Sequence, residues 1–125
     1  MMMLPKVVKE AWENRSDPAV LTTVSKEGVP NSVYVGCASL FRDNLFVFAD
    51  NYFDKTRKNI QNGSPGALLF IDKQGKSYQI KGSLEYHHND EIFTHMKSVN
   101  PPQHPGHAAV ALLVKAVYSG AEQFV

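Results

Sequence analysis

The sequence predicts a mainly β domain, an antiparallel barrel or sandwich carrying two or three short helices. Three observations point there. At least six runs rich in branched and aromatic residues follow one another in hairpin order. Turns built on Gly, Asn and Asp separate them. The strand–helix–strand alternation that marks a parallel sheet is absent. At 125 residues the chain is read as a single domain, 1–125, with room for one core.

The elements follow in order. "PKVVKEAWENR", residues 5–15, reads as a short amphipathic helix, with Pro5 suited to its first turn and Val7, Val8, Ala11 and Trp12 on one stripe. Trp12 is expected in the core. "AVLTTVS" is a β-branched strand, "KEGVP" a turn, and "NSVYVGCASLF" (residues 31–41) a second strand. Alternation places Val33, Val35 and Cys37 on one face of it and Ser32, Tyr34, Gly36 and Ala38 on the other. "RDN" turns the chain into "LFVFA".

Next comes "NYFDKTRKNIQN", residues 51–62, a helix stopped by "NGSPG". "ALLFID", the turn "KQGK" and the long strand "SYQIKGSLEYHH" form another hairpin. Gly82 inside that last strand signals a bulge or a close backbone approach. "NDEIFTHMKSV" is a helix capped by Asn89 or Asp90. A Pro-rich loop, "NPPQHPGH", leads into the final strand "AAVALLVKAVYS" and its tail.

Composition narrows the function classes. Apolar content of 43%, charged content of 20% and a net charge of +1 give no basic field for nucleic acid or anionic lipid. No apolar run approaches the roughly 20 residues of a membrane span, and the N-terminal residues do not read as a signal peptide. Cys37 is the single cysteine, so no internal disulfide is possible, and a reducing cytoplasm is the expected compartment.

Catalytic motifs are sparse. His87, His88, His95, His104 and His107 have no Cys or acidic partner at a metal-ligand spacing, so no metal site is expected. His104 and His107 read as solvated loop residues, and Cys37 as a small strand residue rather than a nucleophile. The start of the 51–62 helix is the local feature with chemistry. Asp54 reads as its cap, and free backbone N–H groups, the Lys55 ammonium and the Thr56 hydroxyl could together hold a phosphate. A strand facing a flat ring, with the helix start at one end, has the shape that flavin mononucleotide (FMN) requires.

The succession "GVPNSVYVG", "LFVFADNYFDKTRKN" and "SYQIKG", in that order and spacing, resembles the pyridoxamine 5′-phosphate oxidase-like FMN-binding split barrels. It is closest in size to their small bacterial FMN-binding proteins. The resemblance runs from about Leu4 to the end of the chain. It implies a six-stranded antiparallel split β-barrel of Greek-key-like connectivity, and a homodimer with FMN at the subunit interface. It places Asn31, Ser32, Val33, Tyr34, Val35 and Gly36 along the ring and ribityl chain. Ala49, Asp50 and Asn51 would border the cofactor, Lys55 and Thr56 would take the phosphate, and Asp54 would sit beside them in the cofactor site. Ser77 and Gln79 would complete the pocket, in some relatives from the partner subunit.

The oxidases proper carry Arg residues in the first of these strands, where this chain has Asn31 and Ser32. They also end in a Trp- and Arg-bearing extension unlike "YSGAEQFV". The resemblance therefore implies FMN-based hydride or electron transfer with an unnamed redox partner, rather than vitamin B6 oxidation. Two alternatives accompany it: a non-catalytic FMN carrier, and a haem-binding split barrel with His87, His88 or His107 as axial ligand.

Overall fold

Eight antiparallel strands and three helices make up the computed structural model, which describes residues 3–125. In chain order they are α1 (Lys6–Glu13), β1 (Arg15–Val24), β2 (Pro30–Val35), β3 (Ala38–Phe41), β4 (Leu45–Asp50) and α2 (Lys55–Gln61). Then come β5 (Pro65–Asp72), β6 (Ser77–His87), α3 (Glu91–Val99), β7 (Ala108–Ser119) and β8 (Glu122–Gln123). The strands form one sheet in the order β2-β1-β5-β6-β7-β4-β3, with β8 added to β7.

The two edge strands, β2 and β3, are separated by only Gly36 and Cys37 in the chain. A seven-strand path can have edges that close only if the sheet curls round on itself. The result is the split barrel, open along the line between β2 and β3. This corrects the single strand expected over residues 31–41, and with the two-residue β8 it raises the strand count from six to eight. The corner also reverses the faces. Val33 and Val35 share a face as expected, the one that packs on the barrel core, but beyond Gly36 it is Ala38 that faces that core, while Cys37 joins the outer cluster.

The core fills the barrel. Trp12 of α1 meets Phe46 and Phe70 edge-on, at centroid distances of 4.9 and 5.1 Å, and the guanidinium of Arg15 covers its ring. Ile60 of α2 enters the same cluster. The buried Asn59 Nδ2 donates to Thr23 Oγ1 over 3.0 Å, fixing α2 to β1. On the outer surface, α3 covers β4 and β7 through Met96, Val47, Ala49 and Ala109. Asp90 caps α3, its Oδ1 accepting from the N–H groups of Ile92 and Phe93.

Two places depart from regular backbone, one a turn and one inside a strand. Arg42 and Asp43 both take positive φ, 56° and 60°, as a tight hairpin between β3 and β4 demands. At Gly82 the β6–β7 register slips, and a Cβ there would stand 1.9 Å from the Leu113 carbonyl oxygen. The bulge read from the sequence is thus a close backbone approach as well. Among the described residues no helix is long and apolar enough to cross a membrane.

Candidate functional site

A hollow of about 390 Å³ opens beside the split of the barrel. One wall is the edge strand β2, through Asn31, Val33, Tyr34 and Val35, continued by the corner residues Gly36 and Cys37. The opposite wall is the end of β4 and the segment after it: Ala49, Asn51, Tyr52, Phe53, Asp54, Lys55 and Thr56. His104, from the loop before β7, completes the lining. Because β2 pairs only with β1, its other edge offers unpaired backbone N–H and C=O groups to this space.

The α2 end of the hollow carries its polarity. Asn31 Nδ2 donates to Thr56 Oγ1 over 3.0 Å. Thr56 is itself buried, at 1% exposure, so its hydroxyl is held in place by the strand opposite. Lys55 is exposed and has no carboxylate partner among the described residues. Its basic neighbours are committed: Arg57 pairs with Asp50 at 2.7 and 3.1 Å, and Lys58 with Asp54 at 3.5 Å. Asp54 occupies the cap position but makes no side-chain cap hydrogen bond. The expected carboxylate cap is replaced by that ion pair.

Behind this wall sits a buried polar network. Asp50 is fully buried, accepting from Arg57, from the Tyr86 hydroxyl at 2.5 Å and from the Phe53 backbone N–H at 3.1 Å. Burial pushes its carboxyl up, but the bonds from Arg57, Tyr86 and Phe53 outweigh that and hold it below the usual carboxylate range. Burial and the Asp50 charge push the Tyr86 phenol up to about 12. Asn51 and Asn100 exchange amide hydrogen bonds of 3.1 and 2.9 Å, and Asn51 Oδ1 also accepts from the Gly106 N–H. The side chains of Asp50 and Asn51 are therefore occupied in holding the segments that shape the hollow.

Of the residues expected around a cofactor, the structure brings together Asn31, Val33, Tyr34, Val35, Gly36, Ala49, Asn51, Asp54, Lys55 and Thr56. Four lie elsewhere. Ser32 is outside the hollow's lining, its hydroxyl instead bonded to Thr22 across the strand pair at 2.8 Å. Asp50 is buried behind the wall. Ser77 and Gln79 lie on β6, outside the hollow's lining.

The reading from sequence missed Cys37, Tyr52, Phe53 and His104. Tyr52 and Phe53 lie inside the quoted 51–62 segment, so proximity alone could have found them. His104 gave no such signal. Among the other histidines, His87 has both ring nitrogens engaged, by Asp90 at 2.5 Å and Glu85 at 3.0 Å, and the ring of His88 meets Tyr86 edge-on. Neither lines the hollow.

Comparison with known proteins is in keeping with this architecture. The model of the family described as pyridoxamine 5′-phosphate oxidase matches residues 4–120. An uncharacterized protein of Methanocaldococcus jannaschii is 28% identical over 104 residues, covering 79% of this chain and 70% of its own. HupZ of Group A Streptococcus superposes with a TM-score of 0.80 at 22% identity, over 94% of each chain. An FMN-binding protein of Syntrophomonas wolfei superposes at 0.72 and 18% identity, over 83% of this chain and 77% of that one. At such identities these likenesses establish the fold.

Proposed function

This chain belongs to the pyridoxamine 5′-phosphate oxidase family, and from that premise we propose that it is an FMN-binding oxidoreductase whose cofactor occupies the hollow beside β2. The observation that carries the reading is the convergence of Lys55, Thr56 and Asn31 at one end of a hollow with apolar walls. A volume of about 390 Å³ falls in the range of small-molecule sites. Val33, Val35 and Phe53 suit a flat ring, and the open edge of β2 can hydrogen-bond its rim. Lys55 is a free cation for a phosphate, and Thr56, accepting from Asn31, keeps its own proton to donate.

Bound FMN supplies hydride or electron transfer. The residues of the chain bind it, orient it and limit the access of water. The buried Asp50–Arg57–Tyr86 network fixes the wall from which Phe53 and Lys55 project.

The same reading includes a homodimer. Cross-strand partners share a face, and Tyr34, Val20, Leu69, Gln79 and Tyr118 lie in one register row across β2, β1, β5, β6 and β7. Tyr34, Leu69 and the neighbouring Ile71 are exposed, at 76%, 45% and 43%. α3 covers only the other part of the sheet's outer face. Tyr34 belongs both to this row and to the hollow, so a second copy seated on the row would roof the flavin. Gln79 would then act at the interface rather than inside its own hollow.

The test is direct. The protein, stripped of ligand and titrated with FMN, should quench flavin fluorescence to a stoichiometry of one per chain. An absence of FMN uptake rules the reading out. Oxidation of NAD(P)H by the loaded protein in the presence of an acceptor then tells an enzyme from a carrier.

A further inference from the structure

The loop of residues 100–107 is held far more firmly than a connection between α3 and β7 requires. Besides the Asn51–Asn100 pair and the Gly106 N–H bond to Asn51, the His107 N–H donates to the Asp50 carbonyl over 2.9 Å. Lys97 Nζ donates to the Pro105 carbonyl, and the His104 N–H to the Pro101 carbonyl. Pro101, Pro102 and Pro105 remove further freedom. Yet no residue of the loop belongs to either apolar cluster, so this rigidity serves no core packing.

What the loop places is His104. β7 begins with Ala108 opposite Asp50, so the preceding loop runs beside the residues that follow Asp50, with Gly106 bonded to Asn51 and His104 to Tyr52. His104 lines the hollow, and its Nδ1 lies 3.2 Å from the Tyr52 hydroxyl, the two rings meeting edge-on. In the tautomer that accepts from Tyr52 at Nδ1, the ring proton sits on Nε2. Among the described residues Nε2 has no hydrogen-bond partner. An N–H donor facing the same space as Lys55 and Thr56 matches a phosphate oxygen.

We propose that His104 is a second binding residue for the phosphate end of the flavin, with Tyr52 as the positioning residue that fixes its ring. The proposal rests on the reading of the hollow as an FMN site, and it commits His104 to the phosphate rather than the ring.

FMN and riboflavin titrations at one pH and ionic strength, read by flavin fluorescence, test it on five proteins. These are the wild type, His104→Ala, His104→Gln, Tyr52→Phe and His107→Ala. His104→Ala should weaken FMN about tenfold, the scale of one charge-assisted hydrogen bond, and leave riboflavin within about twofold. His104→Gln, which keeps an N–H donor, should recover part of the loss. Tyr52→Phe should lower FMN affinity less than His104→Ala and again spare riboflavin. His107→Ala should match the wild type. Unchanged FMN binding in His104→Ala overturns the proposal, and so does an equal loss for both ligands, which would mark a ring contact or a structural role. A wild type that binds neither flavin defeats the FMN reading itself, and the role of His104 falls with it.

Discussion

Asn31 and Thr56 join the open edge of the barrel to the helix after β4, the amide of one donating to the hydroxyl of the other over 3.0 Å. The bond spans the end of the hollow, so it couples the position of β2 to that of α2. Thr56→Val keeps the shape and deletes the acceptor. It should cost about 1 kcal/mol of stability and weaken FMN while sparing riboflavin. Urea denaturation and flavin titration on the same preparation measure the two effects.

Asp50 should be the most sensitive polar position in the molecule. It is fully buried, and Asp50→Ala leaves Arg57, the Tyr86 hydroxyl and the Phe53 N–H without their acceptor. The expected loss is about 3–5 kcal/mol. Tyr86→Phe removes one bond to a charged group and should cost about 1.5–3 kcal/mol. Denaturant midpoints rank the two. Equal, small losses would mean that the network adds little.

His87 should give stability a dependence on pH. Burial lowers its pKa, but hydrogen bonds that the ring donates to the Asp90 and Glu85 carboxylates outweigh burial and raise it above the ordinary value of 6.5. A raised folded pKa means that the folded state holds the proton more tightly. The stabilisation is therefore complete below about pH 6.5 and is lost as pH rises through the folded pKa. Asp50, with its depressed pKa, acts in the other direction. Its contribution is present above roughly pH 4 and is lost as pH falls through its folded value. Denaturant midpoints against pH should show the alkaline-side loss in the wild type and not in His87→Gln.

Leu69 lies at the middle of the exposed row on the outer face. Leu69→Lys should leave the fold intact, since the side chain is 45% exposed, and should convert a dimer to a monomer in sedimentation. FMN affinity should fall with the dimer, because in the proposed assembly the second copy would roof the hollow. A wild type that sediments as a monomer with FMN bound removes the shared site from the account.

Much of this was legible before any coordinates. Gly82 announced its bulge, Asp90 its cap, and Trp12 its place in the core, because each role depends on local chemistry. The helix start at Asp54, Lys55 and Thr56 stood out for the same reason, as local chemistry suited to an anion. The break at Gly36–Cys37 was not legible: the apolar alternation runs through it, and only closure of the barrel sends β2 and β3 to opposite edges. Asp50 and Asn51 have the residue types of ligand contacts, yet their partners, Arg57, Tyr86, Asn100 and Gly106, are set by tertiary packing. His104 stood about fifty residues from the rest of its site, in a loop whose position follows from the β4–β7 register.

Everything proposed for the hollow turns on one contact, that of Lys55 with the phosphate of a flavin bound beside β2. A cycle of two proteins and two ligands measures that contact alone: the wild type and Lys55→Ala, each titrated with FMN and with riboflavin. Lys55 is exposed and has no carboxylate partner among the described residues, so its loss should leave the fold intact. The expected coupling between the side chain and the phosphate is about 1.5–3 kcal/mol, weakening as salt is raised. A coupling of zero, with FMN and riboflavin bound equally by both proteins, would contradict it.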